Sequence, residues 1–183
     1  MTVTISSSEP SLLNHLMCQP APAHSDKNAD SDASSLYLDK QLCFALYATS
    51  LAMTKVYRPL LSALGITYPQ YLVMLALWEH GELSVGQLGK QVALDSGTLV
   101  PLIRKLSALE LILRRRNPED DRSVLVTLTP RGSALSQQAH AVHDKVACAT
   151  QCTEAQRQTL VRSLQNLRAS LLETAAALSQ DGP

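Results

Sequence analysis

The chain has 183 residues, 45% of them hydrophobic and 17% charged, and its basic and acidic side chains cancel to a formal net charge of zero. That length suits one domain with a tail, and a Leu- and Ala-rich composition with one Phe and one Trp suits a mostly helical soluble fold. No apolar run nears the roughly 20 residues of a membrane span, and no basic stretch followed by an apolar core opens the chain. Its four cysteines therefore point to a reducing cytoplasm, where they are reactive or metal-bound rather than structural bridges.

The charge is unevenly spread. Residues 1–38 hold one Lys against four acids, whereas residues 84–132 hold eight Lys and Arg against five acids. Phosphate binding depends on the local patch and not on the total, so the second region keeps nucleic acid open as a partner.

Residues 1–38 are rich in Ser, Pro, Ala and Asp and read as a disordered extension, with a helical turn possible over Leu12–Met17 and no dedicated role for Cys18. The remainder, 39–183, reads as one winged-helix and dimerisation domain. Its first helix is expected from near Asp39, or from a cap at Ser34 or Ser35, to about Tyr57, with Pro59 opposing a straight continuation. On that helix Leu42, Leu46, Met53, Val56 and Leu60 share one side. Cys43, Tyr47, Ser50, Thr54 and Tyr57 share another. A thiol aligned with two phenols suits a stabilised thiolate, because hydroxyl donors favour the anion. From this stretch alone the cysteine reads first as a small packed hydrophobe, which is what most free cysteines are.

Gly65 stops the first helical region, and an almost wholly apolar helix, Tyr71 to His80 with Trp78 in the core, ends at Gly81. Ser84 caps a short helix to Gln91. A turn at Ala93-Leu94-Asp95 then leads to a second helix carrying Leu99, Leu102, Ile103, Leu106 and Leu109, which is a helix-turn-helix layout. Pro101 lies too deep for a first-turn proline, so this helix either starts nearer Gly97 or is kinked. Leu111–Arg116 and Ser123–Thr129 read as strands around a turn at Asn117–Asp121. A helix-turn-helix followed by a basic hairpin is a winged helix. Pro130 at the first helical position after Thr129 opens a helix to about Cys152. Thr153 caps a last helix whose seam of Leu160, Leu164, Leu167, Leu171 and Leu178 suits packing between subunits.

The expected DNA-facing residues are Ser96, Thr98 and Arg104 on the recognition helix and Arg114, Arg115, Arg116 and Arg122 on the hairpin. The lobe that carries them spans about 84–129, and the dimerisation helices about 39–60 and 130–180. His140, His143, Cys148 and Cys152 fit no compact four-ligand spacing, so neither a metal nor a cofactor is expected.

Asp120-Asp121-Arg122-Ser123-Val124-Leu125-Val126-Thr127-Leu128-Thr129 resembles the wing signature D-x-R-x-x-x-V-x-L-T of the MarR family of winged-helix repressors. Leu42-Cys43-Phe44-Ala45-Leu46-Tyr47, Leu64 to Tyr71 and Leu94 to Leu99 resemble more narrowly its organic-hydroperoxide sensors, the OhrR branch. The resemblance spans roughly residues 36–180. It implies a mainly α fold with a small β-hairpin wing, and it places the peroxidatic cysteine at Cys43. Phenols that hydrogen-bond the reactive sulfur fall at Tyr57 and Tyr68, with a third at Tyr47. In the two-cysteine subclass a resolving cysteine matches Cys148, with Cys152 one turn on as a substitute.

The expected function is thus a homodimeric repressor, not an enzyme. Its reduced form would hold a pseudo-palindromic operator and lose it when an organic hydroperoxide oxidises Cys43 to sulfenic acid and then to a disulfide with Cys148. A MarR-type regulator sensing a small aromatic ligand is the alternative. A thiol peroxidase would leave the winged helix without a purpose.

Overall fold

Residues 36–180 are described by the computed structural model, apart from the side chains of Asp121 and Arg122; the expectations for the Leu12–Met17 turn, Cys18 and a Ser34 or Ser35 cap lie outside them. The described residues form two compact units, 36–146 and 147–180. A short 3-10 turn at Leu38–Lys40 precedes α1 (Leu42–Ser62), α2 (Tyr68–His80), β1 (Glu82–Ser84), α3 (Val85–Val92), α4 (Ser96–Ala108), β2 (Ile112–Asn117), β3 (Asp120–Leu128), α5 (Pro130–Ala149) and α6 (Glu154–Gln180). The expected class, mainly helical with a small wing, is the one observed.

Two helices run through prolines that were expected to interrupt them. α1 continues past Pro59 to Ser62, and α4 starts at Ser96 with Pro101 inside it. Each proline leaves the carbonyl four residues earlier without a donor, at Lys55 and Gly97. All four residues are exposed, so water can take those carbonyls. Apolar residues just beyond each proline, Leu61 and Ile103, are buried and hold the helix on the core.

Helix starts follow side-chain chemistry. Thr67 and Gln70 form a capping box that starts α2 at Tyr68, three residues before the expected Tyr71. Ser84 and Gln87 do the same for α3, with Ser84 Oγ accepting from Gln87 N at 3.2 Å. Asp95 caps α4 by accepting from Thr98 N at 2.9 Å, and hydrogen bonds from Thr98 hold its carboxyl below the usual carboxylate range. Ala93 ends α3 in the left-handed region at φ 55° and sets the turn between the two helices.

The sheet order is β1-β3-β2, antiparallel throughout. β1 was not foreseen; its three residues pair Glu82 with Thr127, Leu83 with Val126 and Ser84 with Leu125. The core of the first unit joins Leu61, Val73, Met74 and Leu77 to Leu88, Leu99, Ile103 and Leu106, closed by Ile112 and Val126 from the sheet. α5 docks by Gly132, Ala139, Val142 and Val146, while Trp78 Nε1 donates to Gly132 O at 2.9 Å. In the second unit α5 ends at Ala149, before the expected Cys152, because Gln151 turns into the left-handed region at φ 53°. Thr153 and Gln156 then cap α6, which buries no residue within the chain.

Candidate functional site

The recognition helix and wing project from the core of the first unit. Ser96 and Thr98 occupy the exposed first turn of α4, and Arg104 lies exposed two turns on. The Thr98 hydroxyl is already engaged, donating to Asp95 Oδ2 at 2.9 Å. Alternation along β2 puts Arg114 and Arg116 on the face of buried Ile112 and Arg115 on the other. There Arg115 meets Glu82 of β1 through Nη2 at 2.8 Å and Nε at 3.1 Å, a bidentate pair that turns it away from the free wing surface. Arg114 and Arg116 make no ion pair among the described residues. The Arg122 side chain lies outside the described residues.

Three phenols meet where α1 ends and α2 begins. The Tyr57 ring lies 4.7 Å from that of Tyr68 and 5.6 Å from that of Tyr71, and Tyr71 meets Trp78 edge-on at 6.1 Å. Sequence reasoning had placed Tyr71 only in the core. Its membership of this cluster follows from its spacing of three from Tyr68 on one helical face. Burial, and then the neighbouring Tyr71 and Tyr68, push the Tyr57 hydroxyl up to about 12; burial raises Tyr68 and Tyr71 as well. All three remain neutral O–H donors at neutral pH, and none has a hydrogen-bond acceptor among the described residues.

A phenol whose folded value lies above its ordinary one holds its proton more tightly in the folded chain, so stability falls as pH climbs from about 10 toward about 12. Tyr57→Phe is expected to lessen that alkaline loss, read as the difference between urea midpoints on the two sides of this window.

Cys43 does not join the cluster within one chain. Fourteen residues of unbroken α1 separate it from Tyr57, about 21 Å at about 1.5 Å per residue, far beyond hydrogen-bond reach. The row of polar residues expected on one face is real in azimuth but stretched along the axis. Tyr57 and Tyr68 can reach a Cys43 thiol only from a second chain; Tyr47, 62% exposed and one turn after Cys43, is the phenol beside it in the same helix. Cys43 is exposed, as are Leu42, Phe44 and Leu51 around it, so the packed-hydrophobe reading fails within the protomer. In the second unit Cys148 is exposed. Cys152 is half-buried, its thiol 3.3 Å from Thr150 O and its carbonyl accepting from Arg157 Nη1 at 2.7 Å.

Two cavities flank the tyrosines. One of about 440 Å³ is lined by Thr54, Arg58, Leu61, Ile66, Tyr68 and Pro69. The other, about 690 Å³, lies between Tyr71, Trp78 and Leu128 and the α5 side chains Ser136, His140 and His143. No group of three or more metal-ligating side chains occurs among the described residues.

Residues 55–139 match the family model described as transcriptional regulator SarA/Rot. The chain is 54% identical over 102 residues to the organic hydroperoxide resistance transcriptional regulator of Bacillus subtilis, a match spanning 56% of this chain and 69% of that one. AbfR of Staphylococcus epidermidis superposes with a TM-score of 0.63 at 33% identity, over 77% of this chain and 97% of AbfR. The chain belongs to the MarR family of winged-helix transcriptional regulators.

Among MarR-family structures the apo regulator MarR of E. coli is more distant, with a TM-score of 0.56 at 25% identity over 69% of this chain and 96% of that one. AbfR has been solved reduced and overoxidised on DNA and with its disulfide formed. These likenesses place the chain among transcriptional regulators and not among enzymes. They also bear out the MarR-family resemblance carried by the wing and by the Leu42–Tyr47 segment.

Proposed function

We propose that this MarR-family chain is a homodimeric repressor that holds operator DNA when reduced and releases it on meeting an organic hydroperoxide. The observation that carries the reading is the separation of donor and thiol along α1: an exposed Cys43 near its start, and, around Tyr57 toward its end, three phenols that have no acceptor among the described residues. Two chains side by side would complete one site from both. The exposed apolar residues Leu42, Phe44 and Leu51 of α1, and Leu160, Leu164, Leu171 and Leu178 of α6, supply the surface such a dimer needs, within the expected dimerisation segments 39–60 and 130–180. The lobe at 84–129 would then read one half-site of a pseudo-palindromic operator per subunit.

In this mechanism the Cys43 thiolate attacks the O–O bond of the hydroperoxide. The sulfur becomes a sulfenic acid and the peroxide leaves as an alcohol, its oxygen protonated from a phenol or water. Tyr57 and Tyr68 of the second chain fix the peroxide oxygens by donating O–H. The Cys148 thiol of the other subunit then condenses with the sulfenic acid, forming a disulfide and expelling water. Cys152, beyond the turn at Gln151, is the substitute. A disulfide that favours the non-binding dimer by about 3 kcal/mol lowers operator affinity roughly a hundredfold. The reducing cytoplasm keeps both thiols ready.

Non-reducing electrophoresis after peroxide treatment tests the chemistry. A disulfide-linked dimer is expected from the wild type and from Cys152→Ser, and none from Cys43→Ser or Cys148→Ser. Loss in Cys152→Ser instead would move the resolving role to Cys152, and a linked dimer in Cys43→Ser would overturn the reading.

The wing carries a second expectation. Substituting Arg114 and Arg116 together by Ala is expected to weaken operator binding and to shallow the plot of log affinity against log salt by about 3.6, since the dimer loses two arginine–phosphate contacts in each subunit at about 0.9 per contact. Arg115→Ala should change that slope far less, because Arg115 is held by Glu82.

The cavity beside Trp78, His140 and His143 supports a second reading, in which a small aromatic ligand drives release. Release of DNA by such a ligand under excess reductant would favour it.

A further inference from the structure

We infer that the smaller cavity selects hydroperoxides that carry a carboxylate, with Arg58 as the residue that recognises it; this rests on the hydroperoxide reading proposed above. The cavity is walled by buried Leu61 and Ile66 together with Gly65 and Pro69, an apolar lining suited to a hydrocarbon chain. Tyr68 belongs both to this cavity and to the ring cluster, 4.7 Å from Tyr57, so the cavity opens beside the phenols that receive the peroxide group.

Arg58 is the charged side chain of the lining, and it has neither an ion pair nor a hydrogen bond among the described residues. Nothing nearby in sequence neutralises it: residues 40–78 contain Lys40, Lys55 and Arg58 and no Asp or Glu. Lys55, one turn before Arg58 on α1, adds to the same local field. A bare guanidinium at the edge of an apolar cavity complements an anion on an apolar chain, and its planar fork matches a carboxylate in two parallel hydrogen bonds. The occupant is therefore a fatty-acid-like hydroperoxide, with its carboxylate at Arg58, its chain against Leu61 and Ile66, and its O–O bond toward Tyr68 and the partner's thiol. An aryl hydroperoxide without a carboxylate uses the same apolar wall and gains nothing from Arg58.

The test compares a long-chain fatty-acid hydroperoxide with its methyl ester, both below their aggregation threshold, by the rate at which the Cys43 thiol of the reduced dimer is lost to alkylation. The wild type is expected to react about fivefold faster with the acid than with the ester, the scale of a partly solvated charge pair. Arg58→Gln should bring that ratio close to one, and Arg58→Lys, which keeps the charge but not the fork, should keep only part of it. Thermal melting of each variant checks that α1 still docks. Equal rates for acid and ester in the wild type would overturn the inference, as would a ratio preserved in a folded Arg58→Gln. Failure of every hydroperoxide to consume the Cys43 thiol would instead bring down the sensor reading itself.

Discussion

Gly132→Ala is expected to destabilise the chain by about 3 kcal/mol or more. A Cβ built on Gly132 would fall 1.9 Å from the carbonyl oxygen of Leu111 and 2.9 Å from its carbonyl carbon, contacts that no side-chain rotation relieves. The backbone on both sides is already committed. Leu111 O accepts from Thr129 N at 3.1 Å, Thr129 Oγ1 donates to Glu110 O at 2.7 Å, and Gly132 N donates to Thr129 Oγ1 at 2.9 Å. Gly132 O takes the Trp78 indole proton. Moving α5 out by the needed distance breaks several of these together and leaves a half-buried donor on Trp78 unpaired. Gly86→Ala is the matched control, since its Cβ meets nothing within 4 Å and lies inside α3, where Ala is the better helix former. Denaturant midpoints at one protein concentration should show a large loss for the first and none for the second. Equal midpoints would refute the packing described here.

Much of the fold was legible because the signals were local. Ser84 and Thr153 are caps that can be read from residue type and position alone, and Val124, Val126 and Thr127 mark a strand by residue type, whereas the Thr67–Gln70 capping box that starts α2 three residues before the expected Tyr71 was missed. What else sequence missed depends on partners far along the chain. β1 is three residues long and has no periodicity of its own; only its register with Leu125–Thr127 makes it a strand. Pro59 and Pro101 looked like breaks because a missing donor is visible in sequence, whereas the solvent around Lys55 and Gly97 is not.

The site divides along the same line. The Leu42–Tyr47 segment and the wing carried the family resemblance, and Tyr57 and Tyr68 do sit together. The helical wheel, however, gives azimuth without height, so it placed Cys43 and Tyr57 on one face without showing the length of helix between them. Arg115 looked equivalent to Arg114 and Arg116 until its pairing with Glu82, thirty-three residues away, set it apart. Arg58, His140 and His143 drew no binding role from sequence, because a cavity is a property of the packed elements. The run from Lys40 to Trp78 without an acid was the one available hint for Arg58.

Cys43→Ser is expected to abolish the response to peroxide while leaving DNA binding intact. Serine keeps the size of the side chain, and the position is exposed on α1, so neither the helix nor the winged lobe loses packing. What disappears is the thiolate that attacks the peroxide in the proposed chemistry, since an alcohol does not ionise near neutral pH and cannot attack the O–O bond. The most direct measurement is operator affinity of the wild type and Cys43→Ser, each before and after an organic hydroperoxide and again after reduction with dithiol. A roughly hundredfold, dithiol-reversible loss is expected for the wild type and no change for the variant. Release of DNA by oxidised Cys43→Ser to the same extent as the wild type would contradict the proposed chemistry.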